Sequence, residues 1–353
     1  MRLSFNQSHE RLRVLFLPFN QANPYQLELE KSLGKLRVEI VRARKLRVFS
    51  KLWFDIDIIH IHWPPSFEKI PFGKIKALLY LSRLVCFRAL GKRLVYTAHN
   101  LYAHESTANG IERFITRFIA DISHKIIVHS PAAGSIIDNA YGRKYGSKYS
   151  VIFHGNYIGS YENSVDKLGA RRILSFNSGD VVFLMLGNLR PYKGLEQLIR
   201  EFSQIDLPKA VLCIAGRPLN EDYKTKLESL VADCPGIILH PKFIEDHELQ
   251  IYFNAANIAI YPYTDVLTSG AVVLGMSFGI ACIAPIKGCI PDYLDHKGAF
   301  LYDPIDQGAL KSAIKSAYQD EIRLLEMGRE NLEKARGWTW DCVAEKTLLV
   351  YQK

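Results

Sequence analysis

In the stretch VVFLMLGNLRPYKGLEQLIREF, residues 181–202, an apolar run breaks at Gly187, places Arg190 and Lys193 three residues apart and then enters an amphipathic helical pattern. Gly187 lets the backbone turn tightly after a strand, with Asn188 beside it. Two cations can reach one anion, and a helix beginning near Gly194 aims its free N–H groups and the positive end of its dipole the same way. A diphosphate fits that description. The dinucleotide fingerprint GxGxxG is absent here and after the first apolar run, where LPFNQANPYQ stands, so hydride transfer loses ground. A second chemical cluster lies in YTAHNLYAHE, where His99, Asn100, His104 and Glu105 supply groups for proton transfer within one short loop.

Those loops need elements to hold them. RVLFLPF (13–19), IDIIHIHW (56–63), RLVYTAH (93–99), KIIVHS (125–130) and YSVIFHG (149–155) are short apolar runs, most followed by helical patterns such as ERFITRFIADIS. The rhythm restarts with VVFLMLG (181–187), KAVLCIAG (209–216), GIILHP (236–241), NIAIYPY (257–263) and IACIAP (280–285). Strands buried on both faces with helices between them mean parallel sheets, and 353 residues are enough for two cores. The expected class is α/β, with two Rossmann-like doubly wound parallel-sheet domains facing across a cleft. The expected boundaries are 1–160 for the first domain, 161–180 for a polar linker, 181–336 for the second and 337–353 for a terminal helix. Ligands of such sheets bind at the carboxyl ends of the strands, so the polar loops there point into the cleft.

On that basis Asn23, Tyr25 and Gln26 in QANPYQ, after the first strand, are expected to line an acceptor pocket with Asn100. His154 and Asn156 in FHGNY stand at the domain junction, in reach of donor or hinge. In HIHWPP the reading sets His60 and Trp63 on the sheet face opposite His62, and a metal pair at this i, i+2 spacing without carboxylates is not expected. No metal site and no cofactor are expected.

Charge divides the chain. Residues 1–160 carry 24 Lys and Arg against 11 Asp and Glu, a balance of +13, whereas the remainder carries 21 against 25, a balance of −4. The basic stretches 31–54 and 68–93 interleave cations with Leu, Phe, Ile and Tyr, a pattern suited to an anionic membrane surface. Nucleic acid is not expected, because no recognition module accompanies the charge. The six cysteines lack CxxC or other metal spacing and read as cytosolic thiols. The N-terminus has no signal-peptide apolar core and no window approaches a membrane span. The expected location is the cytoplasm, peripheral at the inner membrane face.

GNLRPYKGLEQLI, VLCIAG, NAANIAIYPYTDVLTSGAVVLGMSFGIACIAP and the C-terminal GWTWDCVAEKTLLVYQK together resemble the family-4 type of GT-B glycosyltransferases. The resemblance covers nearly the whole chain and is strongest in the second half. It implies transfer of a hexose from a nucleoside-diphosphate sugar, GDP-mannose being the favoured donor, to a lipid-linked or growing glycan in bacterial polysaccharide assembly. By similarity Arg190 and Lys193 hold the donor diphosphate in place of a divalent ion. His99 matches the acceptor-domain histidine near the sugar. Phe243, Ile244 and Glu245 stand where members hold the nucleotide base, and Trp338 and Trp340 mark a hinge as the terminal helix crosses back.

The chain also departs from the pattern. Members usually carry two glutamates eight apart, and Leu267 and Gly275 occupy those positions here. What remains is LTSGA, where Thr268 and Ser269 with the N–H groups of Gly270 and Ala271 open a helix able to cradle phosphate or sugar oxygens. A retaining transfer then needs chiefly leaving-group stabilisation. An inverting one needs a proton acceptor, for which Glu105 is the best placed, with His104 able to tune or replace it. A nucleotide-sugar 2-epimerase of the same fold, or an inactive nucleotide-sugar-binding subunit, is the alternative.

Overall fold

A computed structural model of the chain describes residues 11–43, 52–68, 70–102 and 110–353. The chain divides into two compact units, one running to Gly155 and taking in Thr339–Lys353, the other spanning Asn156–Trp338.

The first unit holds β1 (Leu12–Leu17), β2 (Val38–Arg42), β3 (Ile58–Ile61), β4 (Arg93–Thr97), β5 (Lys125–Val128) and β6 (Tyr149–Val151). They form one parallel sheet in the order β2-β1-β3-β4-β5-β6, with Leu15 beside Ile59 and Ile59 beside Leu94 in register. Leu15, Ile59, Leu94 and Ile126 are fully buried, and so are Leu29, Leu33, Leu84, Ile119 and Ile137 from the helices that cover the sheet. Helix starts are chemically marked: Asn23 accepts from the Tyr25 N–H ahead of Pro24, and Ser130 accepts from the Ala133 N–H ahead of Pro131. The terminal helix Trp340–Gln352, capped by Thr339, packs on helix Pro24–Lys35, where Asp341 meets Ser32 at 2.8 Å and Lys35 at 2.7 Å. Gly155 permits the close approach of Trp340, because a Cβ at 155 would fall 2.5 Å from the indole.

The second unit holds β7 (Val181–Leu186), β8 (Ala210–Ala215), β9 (Ile237–His240), β10 (Ile258–Ile260), β11 (Ala281–Pro285) and β12 (Ala299–Tyr302), parallel throughout in the order β12-β11-β10-β7-β8-β9. Phe183, Leu212, Ile260 and Ile283 from the strands meet Leu195, Leu198, Leu227 and Ile314 from the helices in one core.

Two expectations are corrected here. Residues 161–180 are not a free-standing linker: Lys167–Ile173 form a helix, and the buried Arg171 guanidinium donates to the carbonyls of Asn177, Ser178, Asp180 and Ala255 and to Asn257. A buried guanidinium that spends its donors on five acceptors fixes this segment into the second unit. Two strands also join the expected ten. β2 and β12 are the edges beside β1 and β11, and edge strands carry exposed or polar residues that weaken the apolar signal.

Among the described residues no helix is long and apolar enough to cross a membrane, and no group of His, Cys, Asp or Glu could hold a metal ion.

Candidate active site

In the second unit, β7 and β8 end side by side on glycines. Gly187 has φ +123° and Gly216 φ +149°, and a Cβ at 216 would lie 2.0 Å from the Gly187 carbonyl oxygen. Only glycine fits both turns. Leu189, fully buried, anchors the loop by donating its N–H to the Arg217 carbonyl at 2.9 Å. A short 3-10 turn, Pro191–Lys193, precedes the helix Leu195–Ser203, and Gly194 is pressed against the Pro262 carbonyl. The helix therefore starts nine residues beyond the strand end at Leu186 rather than directly at it.

The two expected cations differ in setting. Arg190 donates to the carbonyls of Leu189 at 3.0 Å and Arg217 at 3.1 Å, which orients its guanidinium over the two strand ends. Lys193 is 7% exposed, and its Nζ reaches back to within 3.1 Å of the position a Gly187 side chain would take. Burial and then the charge of Arg190 push the Lys193 ammonium down to about 8. Among the described residues no carboxylate pairs with it. A buried cation beside a second cation is costly unless an anion joins them.

The helix start expected at LTSGA lies near. Ser269 caps the helix Gly270–Ser277 by accepting from the Val272 N–H, and its Oγ meets the Tyr263 hydroxyl at 3.0 Å. Tyr263 lies 6.4 Å from Tyr192 between ring centres, and Thr264 donates twice to the Tyr192 carbonyl. Tyr263 and Thr264 thus connect the turn that carries Lys193 with the helix that Ser269 caps, and Thr268 to Ala271 are half-buried. Phe243, Ile244 and Glu245 sit past the edge strand β9, two strands from β7: Phe243 and Glu245 are exposed, whereas Ile244 is buried. Glu245 exchanges capping bonds with Glu248. Asn156 is engaged within its unit, donating to the Ala335 carbonyl and accepting from the Ile158 N–H.

In the first unit, four neighbouring strands each end on a histidine: His62 after β3, His99 after β4, His129 after β5 and His154 after β6. His62 Nδ1 lies 3.3 Å from His99 Nε2, His99 Nδ1 lies 3.1 Å from His129 Nε2, and His129 Nδ1 donates to the Ile152 carbonyl at 2.9 Å. His60 sits one step behind, between Tyr351 and Thr97, 2.6 Å from each hydroxyl. Tyr25 packs edge-on against His62, His99, His129 and His154 at centroid distances of 4.7 to 5.8 Å. Burial lowers every one of these imidazoles, His60 and His154 to about 3 and His129 to about 4, and His62 and His99 well below their ordinary range, with repulsion among the rings adding to it.

Several first-unit expectations change. His60 and His62 do not face opposite ways: their rings lie 4.1 Å apart, because residues i and i+2 of a strand share a face. His99 has a histidine at each ring nitrogen and so offers neither for direct proton transfer. Gln26 is fully buried and spends its amide on Pro18 O and Asn20 N, while Asn23 caps its helix, so these two build the loop rather than line a pocket. His154 belongs to the histidine row of the first unit, next to Trp340. Asn100 does line a cavity of about 200 Å³, with His62, Trp63, Tyr96, Glu112 and Thr116. His104 and Glu105 lie outside the described residues.

His129 and Glu112 escape the sequence reading, and His62 enters it only as half of a metal pair that is not expected. The signal that could have found the row is a histidine at or just past the end of each of four consecutive strands. Its meaning appears only when those strands are known to be neighbours.

Two six-stranded parallel sheets of this kind, each with its polar loops at the strand ends, have the architecture of the GT-B fold. Residues 166–335 match the family model of glycosyl transferases group 1. Over 346 residues the chain is 26% identical to a GDP-mannose:glycolipid 4-beta-D-mannosyltransferase of Xanthomonas campestris pv. campestris, covering 93% of this chain and 89% of the relative. Its fold matches a sucrose-phosphate synthase of Thermosynechococcus elongatus with a TM-score of 0.76 at 17% identity, covering 97% of this chain and 98% of the other. It matches Anabaena HepE, solved with UDP and glucose, with a TM-score of 0.76 at 16% identity over 97% and 100% of the two chains.

Proposed function

We propose that this enzyme transfers a hexose from a nucleoside-diphosphate sugar to a lipid-linked or growing glycan in cell-surface polysaccharide assembly, with GDP-mannose as the first donor to test. The observation that carries the donor side is Lys193, a buried ammonium without a carboxylate partner among the described residues, set against Gly187 and beside Arg190. A diphosphate neutralises both cations, and as the glycosidic bond breaks they stabilise the charge that gathers on the leaving nucleotide without a divalent ion. The name of the Xanthomonas relative supports a guanosine donor and a glycolipid acceptor.

A lipid-linked acceptor is supported by an apolar cavity of about 350 Å³ in the first unit, walled by Leu17, Phe67, Ile70, Leu79 and Tyr80 with Lys76 and Arg83 at its border. Pro65 is shared with the cavity that His62 lines. Helix Gly73–Ala89 shows Ile75, Leu78 and Leu79 to solvent among Lys74 and Lys76, a composition suited to the surface of an anionic membrane.

Thermal-shift measurements with GDP, UDP and their sugars test the donor, since a ligand at a hundred times its Kd adds about 2.7 kcal/mol to stability. Turnover of GDP-mannose is then followed with and without membrane lipid extract and a chelator. Stabilisation by neither nucleotide rejects the donor site. Turnover that is lost with the chelator and restored by Mg²⁺ rejects the metal-free mechanism, and isomerisation of the donor without extract points to an epimerase.

A further inference from the structure

The tautomers of the histidine row follow from its far end. The Ile152 carbonyl can only accept, so the hydrogen lies on His129 Nδ1. A neutral His129 then has its lone pair on Nε2 and accepts from His99 Nδ1–H. By the same rule His99 Nε2 accepts from His62 Nδ1–H, and the lone pair of His62 stands on Nε2. Burial keeps the three rings neutral, so this alternation does not depend on chance protonation. His62 is 0% exposed, and its Nε2 is a buried polar atom without a hydrogen-bond partner among the described residues. The same residue forms part of the wall of the cavity shared with Asn100 and Glu112. Three hydrogen-bonded rings thus end in one unspent lone pair, on a residue that lines the cavity with Asn100 and Glu112.

We propose that His62 Nε2 accepts the proton of the acceptor hydroxyl during transfer, with His99 and His129 as the positioning residues that fix its tautomer and spread its charge. The inference rests on the glycosyl-transfer reading given above. In the step, the acceptor O–H bond breaks and Nε2–H forms, while the oxygen bonds to the sugar anomeric carbon. The bond from that carbon to the diphosphate breaks, and the nucleoside diphosphate departs with the electron pair. The His62 Nδ1 proton can pass to His99 Nε2 and the His99 Nδ1 proton to His129 Nε2, leaving the cation two rings from the new bond, on the ring held by Ile152. After release of product the protons return and His62 gives its proton to water. Because Nε2 is closed to bulk water, an incoming hydroxyl must shift part of the cavity wall. Trp63, 5.6 Å from His62 and stacked on His99 at 4.4 Å, is the large side chain placed to yield.

Nitrogen-15 NMR of the full chain with labelled histidine tests the tautomers directly. His62, His99 and His129 should all carry hydrogen on Nδ1 and none on Nε2. A proton on His62 Nε2 in the resting protein overturns the proposal. His62→Asn keeps an N–H near the Nδ1 position and removes Nε2. Transfer from GDP-mannose in the presence of lipid extract should fall roughly a hundredfold to ten-thousandfold, with the loss in kcat and GDP affinity unchanged. Replacement of His62 by 2-fluorohistidine, which keeps the ring but not its basicity, should give a similar loss if the asparagine variant does not fold. Near-normal kcat in a folded variant overturns the base role. A wild-type protein that consumes no nucleotide sugar sinks the transfer reading and the base role with it, while the tautomer measurement still decides the row itself.

Discussion

The Tyr261 hydroxyl occupies the space that a side chain at Gly275 would need. A Cβ built at 275 falls 2.2 Å from that oxygen, which itself donates to the Ala271 carbonyl at 2.9 Å. Gly275, to which the resemblance assigns a glutamate, is thus part of the packing between helix Gly270–Ser277 and the exit of β10, and Leu267, the other position so assigned, is buried as well.

Gly275→Ala is therefore expected to destabilise the chain by about 1–3 kcal/mol, the usual cost of overpacking, and Gly275→Glu by more, without a gain in donor turnover. Pairing Gly275→Ala with Tyr261→Phe should recover part of the loss, because the clash is with the hydroxyl. Urea unfolding of the two single variants and the pair measures this. A Gly275→Ala protein as stable as the parent contradicts the packing account.

Arg190→Ala and Lys193→Ala should each weaken GDP binding by about 1.5–3 kcal/mol, the range for hydrogen bonds to charged groups. Lys193 adds a pH signature. Its ammonium, held at about 8 by burial and Arg190, binds an anion only while protonated, so affinity should drop as pH rises through 8. In Lys193→Ala that drop should vanish. Calorimetry from pH 7 to pH 9 decides it, and an equal drop in both proteins removes Lys193 from the diphosphate site.

How far the sequence revealed the site depended on whether a signal was local. The Gly187 turn and the Arg190 and Lys193 spacing are contained in eight residues, so the loop was legible at once. The edge strands were not: β2 is VEIVR, with charged residues on an exposed edge, and it merged with the surrounding basic run. The histidine row was invisible for a different reason. Its members are separated by 37, 30 and 25 positions, and only the order β3-β4-β5-β6 makes them neighbours. Asn23 and Gln26 look like ligand groups in sequence, but the backbone of their own loop claims them. A polar residue after a strand has two possible uses, and hydrogen-bond accounting separates them.

Helix Gly73–Ala89 leaves Leu78 68% exposed and Ile75 58% exposed, next to Lys74 and Lys76. Binding to vesicles containing anionic lipid should be measurable at low salt and weaken steeply as ionic strength rises, because exposed charges are screened over about 10 Å at 0.1 M salt. Ile75→Glu with Leu78→Glu should reduce it further while leaving GDP affinity unchanged. Equal binding to neutral and anionic vesicles excludes the electrostatic part, and an unaffected double variant excludes this helix.

The histidine row should also make the chain sensitive to mild acid. A histidine free in the unfolded chain titrates near 6.5, whereas His129 in the fold is pushed down to about 4, and His60 and His154 to about 3. Between those values the unfolded chain takes up protons that the folded chain refuses. The stabilising contribution of each ring is therefore whole above about pH 6.5 and is lost progressively as pH falls toward 4 and below, at about 1.4 kcal/mol per pH unit for each ring that stays neutral. With several rings acting together, unfolding free energy measured with urea should fall steeply between pH 6.5 and pH 5, before most carboxylates titrate. His154→Gln removes one such ring, so its stability should depend on pH less steeply by about 1.4 kcal/mol per unit over that interval, whatever its stability at pH 7. A flat profile from pH 7 to pH 5 in the parent protein would mean that the imidazoles accept protons in place, and the alternating neutral row could not then persist.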